Sequence, residues 1–493
     1  MLIPRGKAEG WLHLDVNQTK EWARSNGVSF NAASAACIPG RGIGLIAGRD
    51  LKAPVEVLSV PEDLVLSLDT IKQHAQFDSD FRELFNSLGA SATSPRMAIL
   101  SFLLFQATIS CPDLAHKVGV HSPFTDYVKT LPCERLPTFW AAEELQLLTG
   151  TTLAPAVSSK VRSLRREYDI LCSSAANTRW FRMVQSFIDL EDWMHVDAMF
   201  RSRALDFHGQ CMIPGIDLSS HAAGDATNTF YDRRDGSYVL MLMEGKELKQ
   251  GEEITITYGD EKGACEMLFS YGFIDEHMES AETLFLSLTI PEDDILNAGK
   301  MSIAGCAPGF KIIDTSSRRG VLGIDPCEDS AINSDKTHGH HSADTNDGFD
   351  WTGDFIWLLC VGREDGLEFR LARTIDGQDD EVEATFGGEI VKNATNLRQL
   401  LAQSSLWEVF RLRAVVILQQ RVFDQMQVLH STQEDLEGIL YGDETAIKEQ
   451  QYNLAMQLRR LEFELLGKAY DGLEMQKLAL ADSAVVQTYL AGE

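Results

Sequence analysis

Basic residues are scarce in this chain. Its 493 residues carry 44 Lys and Arg against 73 Asp and Glu, a formal net charge of −29. Phosphate contacts need a Lys/Arg surface, so this balance argues against a nucleic-acid partner. Paired cysteines are missing too. The nine present, Cys37, Cys111, Cys133, Cys172, Cys211, Cys265, Cys306, Cys327 and Cys360, are scattered and never spaced CxxC. That implies free thiols in a reducing compartment and no structural zinc knuckle. No apolar run reaches the ~20 residues of a membrane span; the most apolar stretch, Met97 to Cys111, predicts a buried helix. The opening MLIPRGKAEGWLHLD has no apolar core of a signal peptide. Strict alternation of strands and helices, the mark of a doubly wound sheet, is absent, as is any fixed-period repeat. These absences read as a soluble cytoplasmic protein, with nuclear presence left open. The short basic cluster Arg162-Ser163-Leu164-Arg165-Arg166 is a solvated helix face rather than a targeting signal.

What is present is ordinary globular text, 44% hydrophobic and 24% charged. The length implies two or three domains, and the acidic surface favours basic partners. Residues from about 10 to 68 hold short β-rich runs punctuated by Gly and Pro, among them CIPGRGIGLIA and VEVLSVPEDLVLSL. From about 70 to 205 the apolar residues take helical spacing. Strand-like text returns at QCMIPGIDL, GSYVLMLM and EEITITYGD. This order predicts an α+β fold in which a helical insertion interrupts small β-sheets. After Ile274, a polar stretch from Asp325 to Asp350 reads as a long surface loop. His338, His340 and His341 within it invite a metal reading, but no rigid element presents them, and no metal is expected. From about Asn396 the text is helical, with Leu454, Leu458, Leu461 and Leu465 on one face.

Four motifs carry the chemistry. Gly42, Gly44 and Ala47 in Gly40-Arg41-Gly42-Ile43-Gly44-Leu45-Ile46-Ala47 formally satisfy a dinucleotide fingerprint, with Asp63 downstream. That fingerprint must open a helix, whereas Pro54 and a Val-rich strand follow here, so a tight β-turn is the reading. Phe200-Arg201-Ser202-Arg203-Ala204 closes a helix with cations, which dipole compensation alone would explain. Met212 to His221 is a strand ending in polar residues, where His221 alone would be an ordinary loop histidine. Finally, Gly251 to Asp260 delivers Tyr258 at the end of a strand, and a short helix presents Tyr271 ahead of Gly272 and Phe273.

In this order and spacing the four resemble the SET-domain methyltransferases. The likeness is to the branch holding the Rubisco large-subunit, fungal ribosomal-protein lysine and actin-histidine methyltransferases. Leu136-Pro137-Thr138-Phe139-Trp140 with Glu143-Glu144-Leu145 and Gly150-Thr151 is similar to a passage in that branch's helical insertion, so the likeness spans roughly residues 10 to 275. The resemblance implies a SET core over 10–70 and 200–275 and a helical insertion over 71–199. It implies a mainly helical, substrate-binding-like C-terminal domain over 276–493, in which the polar composition near 325–350 reads as a disordered loop. It implies S-adenosylmethionine as cofactor, held by Gly42, Ile43, Gly44, Arg203, Ser220, His221, Tyr258 and Phe273. Tyr258 and Tyr271 would be the catalytic pair, and Phe230, Tyr231 and Tyr271 the channel for the substrate side chain, with Phe230 and Tyr231 competing for one place. The implied activity is protein-lysine N-methylation of a basic, non-histone protein such as a ribosomal or translation protein. A histidine methyltransferase and a catalytically degenerate SET-fold binding module are the alternatives. Two departures stand out: Ser220 replaces the usual Asn, and the cysteine-rich zinc segment that follows many histone-directed SET cores is missing.

Overall fold

The apolar stretch forms the helix Pro95–Ser110, started by Pro95 at its first position. From Met97 to Ile109 it is buried on every side, as a helix without a polar face must be. Two of its internal polar groups meet side chains from outside the helix. Thr108 Oγ1 receives the Trp180 indole N–H at 2.9 Å, and Gln106 Oε1 receives the Thr125 hydroxyl at 2.6 Å. Phe81 packs on Phe102 and Phe105 with ring centroids 5.0 and 5.1 Å apart. Among the described residues, no helix is long and apolar enough to cross a membrane.

This computed structural model describes every residue except 115, 134, 135, 208, 317–347, 374–379, 437, 443, 444 and 493. His338, His340, His341 and Cys327 lie outside the described residues; the eight other cysteines form no disulfide among the described residues.

The chain divides into two compact units. The first comprises Met1–Trp140, Pro155–Asp260 and Leu268–Gly272; the second comprises Ala141–Ala154, Glu261–Met267 and Phe273–Glu493. In the first, small sheets surround the helical block. Ala33–Ile38 and Gly42–Ala47 form an antiparallel hairpin. Glu56–Pro61, Ser237–Leu242 and Thr229–Arg234 form a three-stranded antiparallel sheet. Its last two strands are joined through Asp235 and Gly236, both at positive φ (48° and 76°), the turn that suits a tight hairpin. The run TRWFRMVQSFIDLEDWMHVDAMFRSRA breaks into Arg179–Val184 and Leu190–Arg203, because Asp189 caps the second helix by accepting from the amides of Glu191 and Asp192. The fully buried Asp192 carboxylate in turn accepts from the amides of Leu2 and Ile3, each at 2.7 Å, and ties the first helix to it. The cluster at Arg162 lies on the helix Leu153–Ala175, where the three arginines are exposed and Leu164 is buried.

The second unit holds two three-stranded antiparallel sheets, Thr283–Ser287/Gly309–Asp314/Phe349–Thr352 and Leu367–Arg373/Asp380–Phe386/Glu389–Val391. The helices Trp407–Leu436 and Glu449–Ala481 follow. Leu458, Leu461 and Leu465 are buried on the latter, while Leu454 is half-buried near its start. Overall the architecture is α+β.

Glu462, on the inner face of Glu449–Ala481, is fully buried. Both its oxygens accept from the Thr152 amide, at 3.1 and 3.0 Å, and one accepts the Thr152 hydroxyl at 2.5 Å. Burial pushes this carboxyl up to about 7, against the pull of Thr152 and of Arg459. Between the ordinary glutamate range and that value the folded protein holds a proton that the unfolded chain has lost. Stability therefore falls as pH rises through this window, by about 3 kcal/mol. Glu462→Gln is expected to flatten that fall and to raise the melting temperature above pH 7. Thermal unfolding of both proteins across pH 4 to 8 checks this, and parallel profiles would acquit Glu462.

Candidate active site

The glycine turn is a hairpin. Gly40 and Gly42 sit at φ 75° and 78°, which side chains resist, and the Arg41 amide returns to Ile38 O at 3.0 Å. A strand follows Gly42, not a helix, so no helix N-terminus faces a pyrophosphate and the dinucleotide reading with Asp63 fails. Gly44 pairs with Ala36 in mid-hairpin. A Cβ there would stand 2.3 Å from Ile38 Cδ1 and 3.5 Å from Ser220 Oγ. The missing side chain thus leaves room for Ile38 across the hairpin, and Ser220 Oγ lies close by on the same side.

Ser220 gets there by threading. Leu45 O accepts from the Ile254 amide at 2.9 Å, and Glu252 O accepts from the Ala47 amide at 2.8 Å. The next two residues, Thr255–Ile256, pair in parallel with Ser220–His221. Asn228 fastens the crossing: its Nδ2 donates to Glu253 O at 3.0 Å, and its Oδ1 accepts the Thr255 amide at 2.9 Å. The expected long strand from Met212 to His221 is absent. Gly215, at φ 95°, and the Asp217 carboxylate, which accepts the Gly215 amide at 2.7 Å, turn the chain into a 3-10 segment, Ile216–Leu218.

Beyond the crossing, Tyr258 stands among the groups the motifs named. Its amide donates to His221 Nδ1 at 3.1 Å. Its hydroxyl donates to Ser219 O at 2.8 Å. Its ring lies 5.1 Å from His221 and 4.6 Å from Tyr271, centroid to centroid. Tyr271 closes the helix Ala264–Tyr271, and Gly272 at φ 80° caps it.

Arg203 is the last residue of Leu190–Arg203, yet it does more than face its own helix end. Its Nη1 donates to Asp217 O at 2.6 Å. The buried Asp217 carboxylate accepts the Tyr127 hydroxyl at 2.6 Å. Burial pushes that carboxyl up, and Arg203 and Tyr127 pull it back. The half-buried guanidinium is thereby held beside the segment that carries Ser220 and His221.

Phe230 and Tyr231 stand on opposite sides of one strand. They are neighbours on Thr229–Arg234, opposite Met241 and Leu240 respectively, and successive residues of a strand face opposite ways. Phe230 is exposed, 42%. Tyr231 turns inward against Phe207, 5.4 Å away ring to ring, and its hydroxyl is pushed up by burial and by the nearby Cys211, Asp206 and Tyr271. Tyr231, not Phe230, shares the side of Tyr271. Phe273 is half-buried and belongs to the second unit. Reasoning from sequence missed Tyr127, Phe207 and Asn228 altogether; nothing local marks them, because each acts through a partner distant in the chain.

No protein-family model matches the chain. It is 28% identical over 282 residues to SET domain-containing protein 8 of Schizosaccharomyces pombe, covering 56% of this chain and 62% of that one. To the Rubisco large-subunit N-methyltransferase of Pisum sativum it is 24% identical over 300 residues, 58% of this chain and 56% of that one. To the actin-histidine N-methyltransferase of Gallus gallus it is 25% identical over 316 residues, 62% and 49% of the two chains. The chain thus spans less than two thirds of the length of each of these relatives. Among solved structures, the SET domain of LSMT bound to lysine and AdoHcy superposes with a TM-score of 0.60 at 19% identity, covering 94% of this chain and 92% of that one. Rubisco LSMT bound to AdoMet superposes at 0.58, with 18% identity and the same coverage. The chain is thus similar in sequence to SET-domain methyltransferases of the Rubisco large-subunit type and shares the fold of the LSMT SET-domain structures.

Proposed function

We propose that this protein transfers a methyl group from S-adenosylmethionine to a lysine of a basic, non-histone protein, such as a ribosomal or translation protein. The observation that carries the reading is the aromatic pair Tyr258–Tyr271, 4.6 Å apart, beside the crossing that brings Ser220 against Gly44. The residues present suit the cofactor. A Cβ on Gly42 would meet no atom within 4 Å, so backbone there is open to close approach by a ligand, and Arg203 offers a fixed guanidinium to a carboxylate. Ile43 and the His221 backbone would complete the cradle. When bound, S-adenosylmethionine supplies an electrophilic methyl on a sulfonium.

The chain's own residues have two tasks. A lysine titrates near pH 10.4 in water, and the apolar walls made by Tyr231, Tyr258 and Tyr271 disfavour its charged form by excluding solvent. The same walls align the neutral nitrogen with the methyl, which is where much of the rate enhancement arises. On this reading residues 276–493 receive the protein substrate. Two other readings have a specific motive. The actin-histidine relatives motivate a histidine acceptor, which mass-spectrometric mapping of the modified residue would distinguish. Ser220 motivates a binding module without catalysis, because a hydroxyl cannot span both a donor and an acceptor as the family's amide does.

Calorimetric titration of the purified protein with S-adenosylmethionine, beside Ser220→Asn, tests the proposal. The natural protein is expected to bind, and the variant to bind on the order of tenfold more tightly through a regained hydrogen bond. Labelled methyl should then pass from bound cofactor to a lysine in extract protein. No binding by either protein would sink the proposal, and binding by the variant alone would hand the site to the binding-module reading.

A further inference from the structure

A helix end leaves its last carbonyls without intrahelical donors. In Ala264–Tyr271 the Gly272 amide returns to Leu268 O at 3.1 Å. The next carbonyl, that of Phe269, accepts from Arg201 Nη1 at 2.7 Å. The same guanidinium lies over the Phe269 ring, 4.4 Å from its centroid. Its Nη2 meets Asp197 Oδ2 and Thr138 Oγ1, each at 3.3 Å. The Arg201 side chain is 11% exposed and Asp197 is fully buried, so solvent does little to screen these ties. Dipole compensation does not explain the arrangement. A cation serving only its own helix would turn toward that helix's last carbonyls, whereas this one reaches across to the end of another.

We propose that Arg201 is a positioning residue that holds Tyr271 against Tyr258 and thereby sets the width and direction of the acceptor channel. Tyr271 is two residues beyond the carbonyl that Arg201 grips, and its ring rests 4.6 Å from Tyr258. A planar fork serves a carbonyl, a carboxylate and a hydroxyl at once while stacking on a ring. A lysine ammonium is a point charge on a flexible stem and cannot hold all four. Arg201→Lys therefore keeps the charge at the end of its own helix and gives up the grip on the other. The geometry stands by itself; its consequence for catalysis rests on the methyl-transfer reading above.

The test pairs two readouts on the full-length protein. Hydrogen exchange by mass spectrometry should show the amides of residues 268–272 opening on the order of tenfold faster in Arg201→Lys, with the remaining peptides unchanged. The kcat for methyl transfer should fall on the order of ten- to a hundredfold, with the KM for S-adenosylmethionine unchanged, because Arg201 holds Tyr271 and not the cofactor. Should Arg201→Lys fail to fold, Phe269→Leu removes the ring under the guanidinium and serves in its place. Unchanged exchange at 268–272 would overturn the proposal whether or not the protein is an enzyme. Faster exchange with an undiminished kcat would overturn the role in the reaction. Faster exchange in the variant, with no transfer by the natural protein, would support the positioning and count against the catalytic reading instead.

Discussion

Tyr258→Phe is expected to bind S-adenosylmethionine within a few-fold of the natural protein and to transfer methyl on the order of a hundredfold more slowly. The substitution leaves a ring between His221 and Tyr271, so the stacking at 5.1 and 4.6 Å survives. The Tyr258 amide also keeps its bond to His221 Nδ1. Only the hydroxyl goes. Its proton is committed to Ser219 O at 2.8 Å, which leaves the phenolic oxygen as an acceptor. An acceptor at that place can take the polarised C–H groups of a sulfonium methyl. Each such contact is weak, about 0.5–1 kcal/mol, but together they orient the group that must lie in line with the attacking nitrogen. Loss of the hydroxyl also leaves Ser219 O without this donor, a destabilisation of about 1 kcal/mol. Single-turnover transfer and calorimetric binding, measured on one preparation, separate the two effects. A transfer rate within twofold of the natural protein would remove Tyr258 from the chemistry.

The largest stability effect should come from a residue that touches no substrate. Asp197 is fully buried and meets three cations, Arg96 at 2.5 Å, Lys160 at 2.8 Å and Arg201 at 3.3 Å. Burial pushes its carboxyl up, but Arg201, Lys160 and Arg96 outweigh that and hold it below the usual carboxylate range. Arg96 has a second partner in Glu167 at 2.9 Å. Asp197→Ala would therefore strand mainly Lys160 and Arg201, two largely buried cations. Breaking a buried ion pair from one side costs about 3–5 kcal/mol, and urea unfolding of the natural and variant proteins measures it. Because the folded-state pKa is depressed, the natural protein's stabilisation from this cluster is present above the unfolded value and is lost as pH falls through the folded one. The stability gap between natural and variant proteins should narrow in acid. A loss under about 1 kcal/mol at neutral pH would mean that water repays what the carboxylate gave.

How much of this was legible in the chain follows from the range over which each feature is encoded. An apolar run with no polar face can only be a buried helix, and Pro95–Ser110 is one. Glycines at positive φ mark a hairpin wherever they stand, which is why the turn at Gly40 and Gly42 was readable. Tyr271 at the end of a short helix before Gly272 was readable for the same reason: capping is decided within a few residues.

The assembly of the site was not readable. The parallel pair Ser220–His221 and Thr255–Ile256 is two residues long on each side, too short for any period, and it forms because Gly44, Leu45 and Asn228 close around it. The face of Thr229–Arg234 that looks inward is set by its register with Ser237–Leu242, so the sequence could not choose between Phe230 and Tyr231. Arg201 looked like a cation compensating its own helix until the structure placed it on a carbonyl 68 residues further along. Propensity, capping and turn chemistry act between neighbours and are written in the sequence. The meeting of Gly44 with Ser220, of His221 with Tyr258, and of Arg201 with the helix that carries Tyr271 depends on burial and hydrogen bonding between distant segments, which only the folded chain brings within reach.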